Sequence, residues 1–331
     1  MYGHGLSRAM EAWHKRYNGD ETAPEWRAFL DDFRAGLADK SEELLEAHSN
    51  AGRFGMSKAG GCTRAASLKA LGHEAEPFSG STRVTFFIGH MCEVLAISTL
   101  RAMGFVIDGT QRPVTIDPFM HSYSDGIIVS APPEYNIAPG TILSVKSAGY
   151  KKSGKGRGKF VRRGFPELPF EGVRSAQPGW WAQLQSEMHG TSSSPDVSLE
   201  RVAGVVPASL VVVVSKDIIK SMEDDPYLGD GDGKGNGSLT FYAEAIAYDP
   251  QFCARELIPV WQDAWDSVEK GIASKPMFLS KTGGYNRLTA ASLDWQPNAG
   301  LTESYNPCSY CDLISACQTE LASSWRKGRA A

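Results

Sequence analysis

No stretch of this sequence approaches the roughly 18 uninterrupted apolar residues that a membrane span requires. The opening Met1-Tyr2-Gly3-His4-Gly5 has neither the basic nor the apolar region of a signal peptide. The expectation is a cytoplasmic protein without membrane association. Cysteine is scarce as well: six in 331 residues are too few for a secreted disulfide scaffold, and in a reducing compartment clustered thiols serve more often as metal ligands. Positive charge is not in excess either. A net charge of −4 excludes a generally basic coat, so any contact with nucleic acid must come from a local patch. Internal repeats are absent, and no linker is long enough to argue for two independent domains. With 42% apolar and 22% charged residues, the chain has material for one large α/β domain or a core with additions.

A local patch is there. Lys151 to Arg163 reads KKSGKGRGKFVRR, with seven cations, three glycines and no acid. Glycines oppose packing and leave Lys151, Lys152, Lys155, Arg157, Lys159, Arg162 and Arg163 mobile, which suits a loop closing over phosphates. A solvated surface loop is the plainer alternative. The run Gly229 to Gly237 looks like a calcium loop, but if Asp230 opens it the closing acid falls on Phe241. It reads as a flexible connection.

Residues 1 to about 50 carry helical patterns, and Cys62 to Gly72 reads as a short helix ended by glycine. Phe86 to Met103 forms a helix with Glu93 inside it. Val106 to Ile116, Ser124 to Ser130 and Thr141 to Ser147 are strand-like. Pro178 to His189 is a helix. Ser209-Leu210-Val211-Val212-Val213-Val214-Ser215 lacks alternation and fits a strand buried on both faces. Phe241 to Tyr248 is a further strand, and Phe252 to Ile272 a long amphipathic helix. On these elements Ser144 and Lys146 share one strand face, with the Val145 carbonyl between them. Gln183 and Glu187, four apart on a helix, are neighbours.

The cysteines are arranged one plus three. Cys62 stands alone, and Cys308, Cys311 and Cys317 lie in Asn-Pro-Cys-Ser-Tyr-Cys-Asp-Leu-Ile-Ser-Ala-Cys. A metal held by all four would tie the two ends of the chain together. Structural zinc usually draws on two paired knuckles, so a cubane iron-sulfur cluster with one thiolate per iron fits better, zinc being the alternative. Cys92 and Cys253 are left as buried thiols.

Gly89-x-x-x-Glu93, Ser124-Asp125-Gly126, Ser144-Val145-Lys146 and the helix Ala182-Gln183-Leu184-Gln185 resemble, in order and spacing, the motifs of the PD-(D/E)XK nuclease superfamily. The likeness is to its RecB-like and lambda-exonuclease-like branches. The early cysteine with a late Cys-x2-Cys-x5-Cys is similar to the iron-sulfur nucleases of bacterial helicase-nuclease complexes and of CRISPR adaptation. The resemblance spans roughly residues 60 to 320. It implies a restriction-endonuclease-like α/β core at 61-274, preceded by an N-terminal helical region at 1-60 and followed by a C-terminal segment at 275-331 completing the iron-sulfur site. It further implies a Mg²⁺- or Mn²⁺-dependent deoxyribonuclease acting on single-stranded or duplex DNA ends, with exonuclease action preferred. Phage recombination or DNA repair is the implied setting, in the host cytoplasm if phage-encoded. Asp125 is then the central metal ligand, with Glu93, the Val145 carbonyl and Glu187 beside it. Lys146 orients or deprotonates the water, and Gln183 positions water or a ligand.

One position departs from the family pattern: Ser144 stands where an acid is expected, and a hydroxyl is a poor substitute for a carboxylate on a hard cation. Three explanations stay open. The acid has migrated to Glu187 on the adjacent helix, or the chain is a catalytically inactive iron-sulfur DNA-binding relative, or the serine was introduced. A redox or sensor protein built around the cluster would need neither Asp125 nor Lys146.

Overall fold

The structure is a computed structural model that describes residues 4–17, 20, 22–45, 53–74, 80–109, 111–153, 161–164, 168–193, 208–215, 240–279, 285–287, 313 and 317. The chain opens with helices α1 (His4–Arg16) and α2 (Pro24–Leu45), joined by Trp13, Trp26 and Phe29, whose rings lie 5.0 to 5.9 Å apart. Strand β1 (Phe54–Gly55), helix α3 (Thr63–Ala70) and helix α4 (Gly80–Ala102) follow. Next come β2 (Val106–Asp108), β3 (Arg112–Ile116), β4 (Met120–Ser124), β5 (Gly126–Ser130) and β6 (Thr141–Ala148). A hairpin, β7 (Tyr150–Ser153) and β8 (Val161–Gly164), leads to helices α5 (Leu168–Ala176) and α6 (Pro178–Ser193). The remainder is β9 (Ala208–Ser215), β10 (Phe241–Ala247), α7 (Pro250–Phe252), a π-turn at Cys253–Leu257, α8 (Ile258–Glu269), β11 (Met277–Leu279) and β12 (Tyr285–Arg287).

Five strands form the central mixed sheet in the order β10-β9-β6-β5-β2. Only β6 and β9 run parallel, with Ser144 opposite Val211 and Lys146 opposite Val213. A parallel pair needs a crossover, and α5 and α6 lie within it. β9 is buried on both faces, as its unbroken apolar run predicts. Leu210, Val212 and Val214 enter a core with Met10 of α1 and Ala96 and Leu100 of α4. Val211 and Val213 enter the opposite core with Trp181, Leu184 and Met188 of α6 and Trp261 of α8. β6 alternates likewise: Leu143 and Val145 belong to the α4 side and Ile142 to the α6 side, so Ser144 and Lys146 face α6. The fold is mixed α/β, with helices on both faces of the sheet.

Several boundaries differ from the sequence expectation. Val106 to Ile116 is two strands in two sheets, because Gly109 (φ 64°) and Gln111 (φ 57°) turn the chain through left-handed backbone. β4 joins β1 and β3 in a separate three-stranded sheet, and Asp125 is the bend after it rather than part of a strand opened by Ser124. The long last helix is interrupted at the π-turn, where Pro259 lacks the N–H that would bond back to Arg255. The basic stretch is paired at its two ends: β7 and β8 run antiparallel, with Lys151 opposite Arg163 and Lys152 opposite Arg162. Lys155, Arg157 and Lys159 lie outside the described residues, as does the run Gly229 to Gly237.

The N-terminal helices pack into the same body as the sheet. Ala243 N donates to Ser7 Oγ at 2.9 Å, and Phe241 N to Glu11 Oε1 at 3.0 Å. One stretch, Arg83–Ala102, is long and apolar enough to cross a membrane by length and composition. Its second half is core, with Cys92, Val94, Ala96, Ile97 and Leu100 all buried.

Candidate active site

Asp125 sits where the chain passes from the small sheet to the central one. β5 begins at Gly126, opposite Leu143, so the Val145 N–H of β6 lies past the end of β5. The carboxylate fills that gap: Val145 N donates to Asp125 Oδ2 at 2.6 Å. Gly126 is required here, since a Cβ would lie 2.7 Å from Ile107 Cγ2. Burial is the largest influence on the Asp125 carboxyl and pushes it up to about 7. The negative charge of Glu93 adds to this, the Lys146 ammonium and the Val145 N–H oppose it, and Glu187 adds a further upward push. Three sequence-predicted groups, from α4, β6 and α6, thus act electrostatically on the Asp125 carboxyl at the β4–β5 bend.

On the α6 side, Glu187 is 1% exposed. Its Oε1 accepts from Gln183 Nε2 at 2.8 Å and from Ser122 Oγ at 3.0 Å. Its Oε2 is buried with no hydrogen-bond partner among the described residues. Burial raises the carboxyl above its ordinary range, against the Lys146 ammonium and the two hydrogen bonds, which lower it. A buried carboxylate oxygen without a donor is costly. It is the kind of atom that a cation satisfies.

Glu93, on the other side of the sheet, is treated differently. Its Oε1 accepts from Lys40 Nζ at 2.9 Å and from Gln111 Nε2 at 3.1 Å, and His90 Nδ1 stands 3.8 Å from Oε2. Burial raises this carboxyl, but the neighbouring His90 and the Lys40 ammonium outweigh it and hold it below the usual carboxylate range.

The structure therefore brings Glu93, Asp125, Lys146, Gln183 and Glu187 into one neighbourhood. Among the described residues, however, no three His, Cys, Asp or Glu side chains form a ready metal-holding group. The donor set is all oxygen, which suits Mg²⁺ or Mn²⁺ rather than a soft metal, and the orphaned Glu187 Oε2 fits such an ion. Ser144 is 2% exposed and contributes no charge. Sequence reasoning missed Lys40, Gln111 and Ser122. Lys40 lies in a helix with no motif, and Gln111 is a non-glycine residue in left-handed backbone, two positions after the glycine of the turn.

Of the four cysteines expected to share a cluster, Cys308 and Cys311 lie outside the described residues. Cys62 immediately precedes α3, and Cys317 N donates to Leu313 O at 3.0 Å. The start of α3 is bonded to the chain beyond α8. Thr63 Oγ1 donates to Lys275 O at 2.7 Å, Met277 N to Thr63 Oγ1 at 3.0 Å and Arg64 Nη1 to Ser274 O at 3.0 Å. Cys92 and Cys253 are buried, as expected, and burial pushes the Cys253 thiol up to about 12.

No family model matches this chain, and no curated protein matches it. Among solved structures, "Crystal structure of SSO0001" is 12% identical, covers 86% of this chain and 95% of its own, and aligns with a TM-score of 0.33. Similarity at that level carries no argument about fold or function.

Proposed function

We propose that this chain is a divalent-metal-dependent deoxyribonuclease with a restriction-endonuclease-like core, acting on DNA ends. The observation that carries the reading is Asp125, bonded to the Val145 N–H beside Lys146 and raised by burial together with the charges of Glu93 and Glu187. A bound Mg²⁺ or Mn²⁺ would supply Lewis acidity and lower the pKa of an attacking water. Asp125, Glu187 and Glu93 are the carboxylates that would hold it. Lys146 faces the same space and stabilises charge developing on phosphate. Gln183 and Ser122 fix the Glu187 carboxylate, which takes the part that Ser144 cannot. Exonuclease action and a recombination or repair setting rest on the family resemblance alone. The cations of the β7–β8 hairpin are proposed to meet the DNA backbone.

Comparing cleavage of end-labelled DNA by the wild type, Glu187→Ala and Ser144→Glu tests the migrated acid. Glu187→Ala should abolish cleavage, and Ser144→Glu should not raise it. Activity restored by Ser144→Glu to an inactive wild type would remove Glu187 from the role. A catalytically inactive DNA-binding protein of the same fold is the second reading, favoured by the lack of a ready three-ligand group among the described residues. Magnesium-dependent cleavage that vanishes in Lys146→Ala excludes it.

Cys62, Cys308, Cys311 and Cys317 are proposed to hold a [4Fe-4S] cluster. Their spacing supports this, as do the bonds that bring residues 273–277 to the helix that Cys62 precedes. Iron and acid-labile sulfide in equal amounts are expected; zinc in their place overturns the cluster.

A further inference from the structure

Lys40 is a second ammonium in this neighbourhood, and the scheme above gives it no task. It belongs to α2, its side chain is 9% exposed, and it sits on Glu93 Oε1 at 2.9 Å. Gln111 Nε2 takes the same oxygen at 3.1 Å, while His90 Nδ1 stands 3.8 Å from Oε2. Each oxygen that Glu93 could offer a metal therefore already faces a nitrogen. An ammonium and a divalent ion held against one partly buried carboxylate repel strongly, because little solvent screens them. Gly36, one turn before Lys40, lies so close to α4 that a Cβ there would be 2.7 Å from Val94 Cγ1. Swinging the lysine side chain away leaves that packing intact, whereas moving the helix would disturb it.

We propose that Lys40 is the resident counter-ion of the metal-free site, which a divalent metal must displace from Glu93 before that carboxylate can join Asp125 and Glu187. This rests on the reading of those acids as a metal site. Lys40 acts through Glu93 and is a positioning residue. It keeps Glu93 ionised and in place at the cost of metal affinity, and it explains why the acids converge without forming a ready cage.

Binding of Mn²⁺ is measured by calorimetry or by the spin-resonance signal of free Mn²⁺, for the wild type, Lys40→Met and Asp125→Asn. Methionine keeps the apolar stem and removes the charge, so Lys40→Met should bind Mn²⁺ about tenfold tighter or better. Equal or weaker binding overturns the proposal. Loss of binding in Asp125→Asn supports the metal site itself; Asp125→Asn binding like the wild type, or no binding by either wild type or Lys40→Met, overturns that reading and the proposal with it. A measurement on the unaltered chain covers the case in which Lys40→Met does not fold. Acetylation of Lys40, followed by mass spectrometry, should rise severalfold when Mg²⁺ is added, and an unchanged rate overturns the exchange.

Discussion

The two glutamates that flank Asp125 are both removed from water, yet they are handled in opposite ways. Glu93, on the α1–α4 side of the sheet, has Lys40, Gln111 and His90 around it, and its carboxyl is held below the usual range. Glu187, on the α6 side, has two neutral donors on one oxygen and none on the other, and its carboxyl is raised. The first is a finished electrostatic unit that would persist without any ligand. The second is incomplete: one of its oxygens has no donor among the described residues, and the Lys146 ammonium does not outweigh its burial. Asp125 lies between the two and feels both, together with Lys146. The difference teaches where the metal's contribution is needed: at the Glu187–Asp125 end, with Glu93 recruited only by giving up a partner.

The hardest test of that contrast removes the shared centre. Asp125→Asn keeps an acceptor for the Val145 N–H but loses the charge, and Lys146→Ala removes the ammonium. Either should lower metal-dependent cleavage of linear DNA by about 10³-fold or more, read as initial rates with saturating Mg²⁺. Retained activity in either variant would mean that the convergence is structural only.

Acidity separates the two sides next. Asp125 is raised from an ordinary 3.8 to about 7, so in the metal-free protein its contribution to stability is fully present below pH 3.8 and is lost as pH rises through 7. Glu187 shifts in the same direction. Glu93 is depressed, so its contribution is lost only as pH falls below the ordinary carboxylate range. Urea unfolding in EDTA should show the wild type less stable at pH 8 than at pH 5 by roughly 2–4 kcal/mol. Most of that slope should be missing in Asp125→Asn.

Much of the frame behind these tests was legible from local pattern. The apolar run of β9, the Ser144–Lys146 face and the Gln183–Glu187 pair follow from strand and helix periods, and the structure has each where the period puts it. What was not legible depends on long-range partners. Nothing near Lys40 announces that a residue of α2 reaches Glu93, 53 positions away. Asp108-Gly109 marks a turn inside the expected strand, but nothing in it announces that the chain crosses there into a second sheet and turns Gln111 toward Glu93. In the basic stretch the glycines suggest a loop, while the strand pairing lies on either side of them. The orphaned oxygen of Glu187 is likewise a property of surroundings, invisible in any motif.

A direct probe of that oxygen is Glu187→Gln. The amide keeps shape and the bond from Ser122 while removing an uncompensated buried charge. The metal-free protein should therefore gain about 2 kcal/mol in denaturant unfolding at pH 8, while cleavage is lost. The matching change at Glu93→Gln should destabilise instead, because it removes the negative charge that the Lys40 ammonium is bonded to. Destabilisation at both positions would erase the contrast.

The finest test compares two glutamines with the same task. Gln111 and Gln183 each donate one amide hydrogen bond to a glutamate, partly buried Glu93 at 3.1 Å and buried Glu187 at 2.8 Å. Replacing either by leucine removes that bond and leaves the carboxylate to its remaining partners. Glu93 keeps Lys40 and His90, so Gln111→Leu should cost about 1 kcal/mol in the metal-free protein. Glu187 keeps only Ser122, so Gln183→Leu should cost about 2 kcal/mol, most of it recovered when Mn²⁺ at high concentration supplies the missing charge. The difference between the variants, measured with and without Mn²⁺ in the same buffer, reads the incompleteness of the Glu187 side directly. Equal costs that ignore Mn²⁺ would mean that Glu187 is compensated by something other than a cation.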